Sequence, residues 1–166
     1  MTVEAPPLLH QPVSIGQLVV CPVPAILSVY GLGSCVAIFL YHARQHIGGM
    51  AHVLLPSGNR SERQRTPGKY VPSAIELMLR KFEDLGVSPD GLVAKLVGGA
   101  SMFVGATRGG GGIGGRNVRA ALRALDETGI QVVATDVGGH RGRSVRAHTL
   151  DGHLEVSSLR QPARLL

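Results

Sequence analysis

Cys35 and His52, seventeen positions apart, are the two side chains whose settings suit covalent chemistry. Cys35 closes the turn Gly31-Leu32-Gly33-Ser34-Cys35, where glycine-rich chain passes into an apolar run. His52 sits in a second apolar run, Gly48-Gly49-Met50-Ala51-His52-Val53-Leu54-Leu55-Pro56. A thiol beside an imidazole is the minimum set for acyl transfer through a covalent intermediate. Glycines before the sulfur leave room for a substrate. They also let the backbone N–H groups around Gly33, Ser34 and Cys35 face an oxyanion.

The same two residues have plainer readings. A free cysteine often packs as a small hydrophobe, and Cys21, at the end of an apolar stretch, fits that description. His52 among aliphatic neighbours suits a hydrogen-bonded core histidine as well as a base. His10, His42, His46, His140, His148 and His153 fall in loops or on alternating strand faces. No pair of them has zinc-ligand spacing alongside cysteine, so no metal is expected.

Two strands joined by a short turn would bring Cys35 and His52 together. Cys35 to His42 and Ile47 to Leu55 read as that pair, with Ala43 to His46 as the turn. Both arms are apolar on successive residues, which predicts burial on two faces. Gln17 to Cys21 and Ala25 to Tyr30 read as strands broken by Pro22 and Pro24. Further strands are predicted over Leu92 to Val97, Ile130 to Asp136, Arg143 to Thr149 and His153 to Ser158. The last two are joined by an Asp151-Gly152 turn. Helices are predicted over Ser73 to Leu85, with Ser73 as N-cap, and Asn117 to Thr128. Ser57 to Lys69 reads as a long polar loop. The fold class is α+β, a single-domain mixed β-sheet sandwich flanked by two helices.

The 166 residues suit one domain, and 44% apolar against 17% charged residues excludes a disordered chain. Pro6, Pro7 and Pro12 suggest a loose leader over 1–13, then a domain over 14–158 and a tail over 159–166. No apolar run is long enough to span a bilayer, so membrane insertion is not expected. Two cysteines and no secretion signal point to a reducing cytoplasm. The net charge of +6 is mostly arginine, tightest at Arg141, Arg143 and Arg146. No aromatics interleave with it, so nucleic acid is not an expected partner. A solvated strand face is the first reading and an acidic protein partner the second.

Gly109, Gly111 and Gly114 satisfy G-x-G-x-x-G, and Asp136 ends a later strand, which imitates a dinucleotide fingerprint. The preceding strand ends near Gly98, about ten residues too early for the tight strand-to-helix turn that motif requires. No nucleotide or other organic cofactor is expected.

Five ordered blocks resemble the CheD family of chemoreceptor glutamine deamidases. They are Gly31 to Val36, Ile47 to Pro56, Val97-Gly98-Gly99-Ala100-Ser101-Met102-Phe103, Ile113 to Val118 and Asp136 to Val145. The resemblance covers about Ser14 to Val156. It implies a fold related to the cysteine deamidase toxins. It also implies hydrolysis of glutamine side-chain amides on methyl-accepting chemotaxis receptors, through Cys35 and His52. A CheC-type phosphatase is a further partner that it implies. The family often has a threonine six residues before the cysteine, and here that position is Val29. Valine cannot orient an imidazole. Either a bulge re-aims Ser28, a backbone carbonyl takes the role, or activity is reduced. Gly98, Gly99 and Phe103 are read either as part of a receptor groove or as a tight turn with a buried phenylalanine. The alternative to catalysis is an adaptor that binds receptor or phosphatase without turnover.

Overall fold

The computed structural model describes residues 8–103 and 112–166. Its centre is the predicted hairpin. β4 (Val36–His42) is buried at every residue and β5 (Ile47–Val53) at all but the first. His46, in the left-handed region at φ 53°, closes the turn between them.

The strands form two five-stranded sheets. In the first, β1 (Leu9–Pro12) lies beside β3 (Ala25–Leu32). Then follow β8 (Arg143–His148), β9 (Leu154–Ser158) and β10 (Gln161–Leu165). In the second, β2 (Leu18–Cys21) lies beside β5, then β4, β6 (Leu92–Gly98) and β7 (Gln131–Val137). α1 (Arg60–Arg65), a short 3-10 turn (Pro67–Lys69), α2 (Val71–Asp84) and α3 (Gly112–Thr128) complete the elements among the described residues.

Two cores explain the layering. Val36, Ile38 and Leu40 of β4 pack with Ala74, Met78 and Phe82 of α2 and with Ala121 and Leu125 of α3. Ala37, Phe39 and Tyr41, on the opposite face, pack with Leu27 and Val29 of β3 and with Val145, Ala147 and Leu154. The second sheet is therefore the middle of three layers, helices on one side and the first sheet on the other. A strand buried on both faces needs apolar residues at consecutive positions, as β4 has. Each large apolar side chain so buried contributes roughly 1.5–3 kcal/mol.

The stretch expected as a loop holds α1. Asn59 Oδ1 accepts from Glu62 N at 2.9 Å, and Glu62 Oε2 accepts from Asn59 N at 2.9 Å, a reciprocal capping box. This helix buries no residue, so no apolar period announces it. α2 begins at Val71, and Ser73 lies inside its first turn, with Oγ donating to Pro67 O at 2.7 Å. α3 begins five residues before Asn117. Its start is drawn into the glycine tract because Gly114 sits against the backbone of Gly99 and Ala100. A Cβ there would lie 2.5 Å from Ala100 O.

Both chain ends add strands. β1 pairs in parallel with β3, and β10 pairs with β9. Lys95 Nζ donates to Leu166 O at 2.7 Å, which ties the last residue to β6. Their side chains are mostly exposed, so ladder hydrogen bonds rather than burial hold them. Gly109 and Gly111 of the imitation fingerprint lie outside the described residues.

Candidate active site

β3 leaves the first sheet at Leu32, and the chain turns through Gly33 and Ser34 to bring Cys35 to the head of β4. In the β4–β5 ladder Val36 faces Val53 and Ala37 faces His52. Side chains alternate along a strand, so Cys35 shares the face of Ala37. Cys35, Ala37 and Met50 all belong to the core between the sheets, and His52 lies two residues beyond Met50. Cys35 and His52 are therefore diagonal cross-strand neighbours on one face, a relation with about 7–8 Å between backbones. Cys35 is 7% exposed and His52 4%. Among the described residues no hydrogen bond joins the sulfur to the ring.

His52 is held by main chain. Its Nδ1 donates to Val13 O at 3.1 Å, which leaves the Nε2 lone pair available. Val13 is fixed in turn, its N donating to Ser28 O at 2.8 Å. Gly16 N donates to His52 O at 2.8 Å and His52 N to Gln17 O at 2.9 Å, so the segment after β1 is strapped along the histidine. Val29 faces the core between the sheets at 1% exposure. Ser28 and His52 line a common cleft of about 460 Å³ with Val13, Ile15 and Tyr30, but no hydrogen bond joins them among the described residues. Of the two ways to orient the ring, Ser28 or a backbone carbonyl, the carbonyl is the one in hydrogen-bond contact with it.

The cysteine turn is held from the other side. Gly99 N donates to Cys35 O and Ala100 N to Gly33 O, both at 2.8 Å. Gly98 has φ 113°, and a Cβ there would stand 2.3 Å from Cys35 O, so only glycine fits. Among the described residues, the N–H groups of Gly33, Ser34 and Cys35 meet no backbone carbonyl. Met102 rests against Gly33, and Phe103, read as part of a groove or as a buried ring, stands out in solvent.

Asn117 is the positioning residue that sequence reasoning missed. Fully buried, its Nδ2 donates to Ser34 O at 2.9 Å and to Leu54 O at 3.0 Å. One side chain thus joins the residue before Cys35 to the residue two after His52. Its Oδ1 has no partner among the described residues. The pattern Arg-Asn ahead of an amphipathic run reads only as a helix start. The Val13 carbonyl leaves no side-chain signal.

Burial pushes the Cys35 thiol up, and its own backbone N–H opposes this in part. Burial pushes the His52 imidazolium down, against the Val13 carbonyl. Both shifts favour a neutral thiol beside a neutral imidazole over a resting ion pair.

Asp136, the acid of the imitation fingerprint, is committed elsewhere. Its Oδ1 accepts from Arg143 Nε at 2.9 Å and its Oδ2 from Arg164 Nε at 2.9 Å. The arginine cluster is accordingly not one solvated face, since Arg143 is drawn inward by that carboxylate.

The family described as CheD chemotactic sensory transduction matches residues 54–158. The chain belongs to the CheD family. It is 45% identical over 157 residues to the "Probable chemoreceptor glutamine deamidase CheD 2" of Geobacter metallireducens, covering 93% of this chain and 96% of that one. It is 43% identical to the probable CheD of Thermococcus kodakarensis, covering 87% of this chain and 89% of that one. The "Chemoreceptor glutamine deamidase CheD" of Thermotoga maritima is 39% identical, covering 87% and 88%. The CheD family match begins after His52. The Geobacter alignment takes in both candidate residues, because a 93% share leaves too few residues outside it to exclude position 35. Among the described residues, no helix is long and apolar enough to cross a membrane.

Proposed function

We propose that this chain is a chemoreceptor glutamine deamidase, with Cys35 as nucleophile and His52 as general base and acid. The carrying observation is the Nδ1 bond of His52 to the Val13 carbonyl, which aims a neutral ring with its Nε2 unprotonated. Cys35 lies one step along the same sheet face.

His52 Nε2 takes the thiol proton as sulfur attacks the side-chain carboxamide carbon of a receptor glutamine. The oxyanion is met by backbone N–H groups of Ser34 and Cys35, each worth roughly 3–4 kcal/mol of barrier. The imidazolium then gives its proton to the amide nitrogen. The C–N bond breaks, ammonia leaves, and a thioester remains. Water attacks the thioester while Nε2 takes its proton, and the departing sulfur recovers that proton as glutamate forms. General-base removal of the proton suits a thiol whose pKa is raised, since little thiolate is present beforehand.

Substrate reaches the sulfur by displacing Met102, whose flexible thioether covers Gly33. Gly98 and Gly99 act by seating the Cys35 backbone, and Phe103 offers an apolar contact to the receptor. The substrates are methyl-accepting receptors, reached from the cytoplasm, and a CheC-type phosphatase is a second partner. The fold would then be related to that of the cysteine deamidase toxins, as the sequence resemblance implies.

The shielded sulfur, not bonded to the ring, also favours a second reading, an adaptor that binds receptor without turnover. One experiment separates them. Receptor cytoplasmic fragment is incubated with the chain and analysed by mass spectrometry. A one-dalton gain at glutamine, lost in Cys35→Ala and kept in Cys21→Ala, is expected. No gain with the unaltered chain, or a gain that survives Cys35→Ala, overturns the proposal.

A further inference from the structure

The β8–β9 hairpin carries a second histidine cluster, for which the proposed reaction has no use. In its ladder Arg146 faces Glu155 and Ala147 faces Leu154, and His148 N donates to His153 O at 3.0 Å just beyond. Ala147 and Leu154 point into the core between the sheets. Alternation therefore puts Arg146, His148, His153 and Glu155 together on the outer face of the first sheet.

Three donor atoms converge there. His148 Nε2 lies 3.0 Å from Glu155 Oε1, and His153 Nε2 lies 3.8 Å from the same oxygen. One ligand atom from each of the three residues falls within 4.8 Å of the other two. The far ends are held as well. His153 Nδ1 donates to Asp151 Oδ1 at 2.6 Å, so its Nε2 presents a lone pair. Arg146 Nη1 donates to Glu155 Oε2 at 3.0 Å, which leaves Oε1 turned to the histidines. At 3.8 Å, His153 Nε2 stands beyond hydrogen-bond distance of that oxygen, so it converges on one point with Glu155 Oε1 and His148 Nε2 without closing on the carboxylate.

We propose that this hairpin binds one zinc-class divalent ion through His148, His153 and Glu155, with solvent in the fourth position. Two imidazoles and a carboxylate suit zinc better than magnesium or calcium. Zinc requires nitrogen and oxygen at about 2.0–2.2 Å, so the three groups draw inward on binding. The two rings, stacked with centroids 4.0 Å apart, splay to aim at the ion. All three side chains are partly exposed on the outer face of the sheet. His148 would bind through Nε2 as the neutral tautomer, so the ring proton that it now shares with Glu155 moves to Nδ1 by exchange with solvent, and the ring keeps one proton. Asp151 and Arg146 act as outer partners that fix the ligands, the arrangement usual around protein-bound zinc. The ion would pin the hairpin between β3 and β10.

Metal-free full-length protein is titrated with zinc against a chromophoric chelator, and in parallel with cobalt(II) by absorption. One equivalent is expected, with a visible cobalt spectrum of nitrogen and oxygen ligands and no sulfur-to-metal charge-transfer band. His148→Ala and His153→Ala each weaken binding more than about tenfold, and Asp151→Asn by about tenfold. Glu155→Gln keeps the side-chain shape and guards against misfolding; it too weakens binding, with an unchanged circular-dichroism spectrum. A sulfur charge-transfer band overturns the proposal, as it assigns the ion to Cys21 or Cys35. Absence of stoichiometric binding, or binding indifferent to both histidine variants, also overturns it.

Discussion

His52 and His153 are each held through Nδ1, but by acceptors of different charge. His52 bonds the Val13 carbonyl beside the core between the sheets; His153 bonds the Asp151 carboxylate at the tip of a hairpin. A carbonyl fixes the tautomer without a full negative charge to stabilise the imidazolium. Burial then dominates and keeps His52 neutral, as a base must be. A carboxylate fixes the same tautomer while strengthening the other nitrogen as a donor, which suits a ligand. On the roles proposed above, the chain separates a histidine suited to moving protons from one suited to holding an ion. The nature of the Nδ1 acceptor marks which is which.

The sharpest way to break this contrast is to remove each ring in turn. His52→Ala should lower kcat for deamidation by about 10²–10⁴-fold with KM little changed, measured as ammonia release from a receptor fragment. His153→Ala should leave kcat within about twofold, because it touches neither sulfur nor substrate. Equal losses from both would end the distinction.

Asn117→Ser comes next in size. It removes the amide that joins Ser34 O to Leu54 O and leaves two part-buried carbonyls without that donor. Stability should fall by about 1–3 kcal/mol in urea unfolding. A role in positioning predicts more than lost stability. At temperatures where the variant is fully folded, kcat should fall while KM holds, and alkylation of Cys35 by iodoacetamide should lose its dependence on His52. Unchanged kcat in folded protein would reduce Asn117 to a core support.

The pH profile tests the charge argument with a smaller effect. His52 acts as base above its lowered pKa, so the acid limb of kcat/KM should have its midpoint below about 6.5, the ordinary histidine value. The alkylation rate of Cys35 should rise with a midpoint above about 8.5, that of a free thiol. Stability follows the same signs. The His52 contribution is complete above the unfolded pKa and is lost as pH falls from there through the lower folded value. The Cys35 contribution is complete below the unfolded thiol pKa and is lost as pH rises through the higher folded one. A midpoint for kcat/KM above 6.5 would mean that burial does not dominate and that hydrogen bonding to the Val13 carbonyl, which favours the charged ring, outweighs it.

What the sequence made legible follows from what each feature buries. β4 and β5 were readable as a pair, because consecutive apolar residues mark strands buried on both faces and the turn between them is short. The helices that cover the middle sheet were readable from their apolar period, apart from their first turns. α1, β1 and β10 were not, since they bury almost nothing and rest on caps and ladder bonds. Cys35 and His52 carry side-chain chemistry and could be singled out. The Val13 carbonyl could not, as every residue has one. Asn117 has a visible side chain, but its two acceptors lie 83 and 63 residues away. His148, His153 and Glu155 converge only once the hairpin register pairs them across a four-residue connection.

The smallest expected effect is also the one that decides who orients His52. Val29→Thr restores the hydroxyl that the CheD family often has six residues before the cysteine. Val29 faces the closed core between the sheets, and the His52 Nδ1 proton is already taken by Val13 O. A hydroxyl placed there finds the tautomer already chosen. It also brings a polar group into an apolar layer, at a cost of about 1–3 kcal/mol unless it finds a partner. Turnover should therefore change by less than about threefold while the unfolding midpoint drops. A gain of tenfold or more would mean that the carbonyl holds the ring loosely. In that case valine is a handicap carried by this chain, and the contrast between the two histidines rests on burial alone.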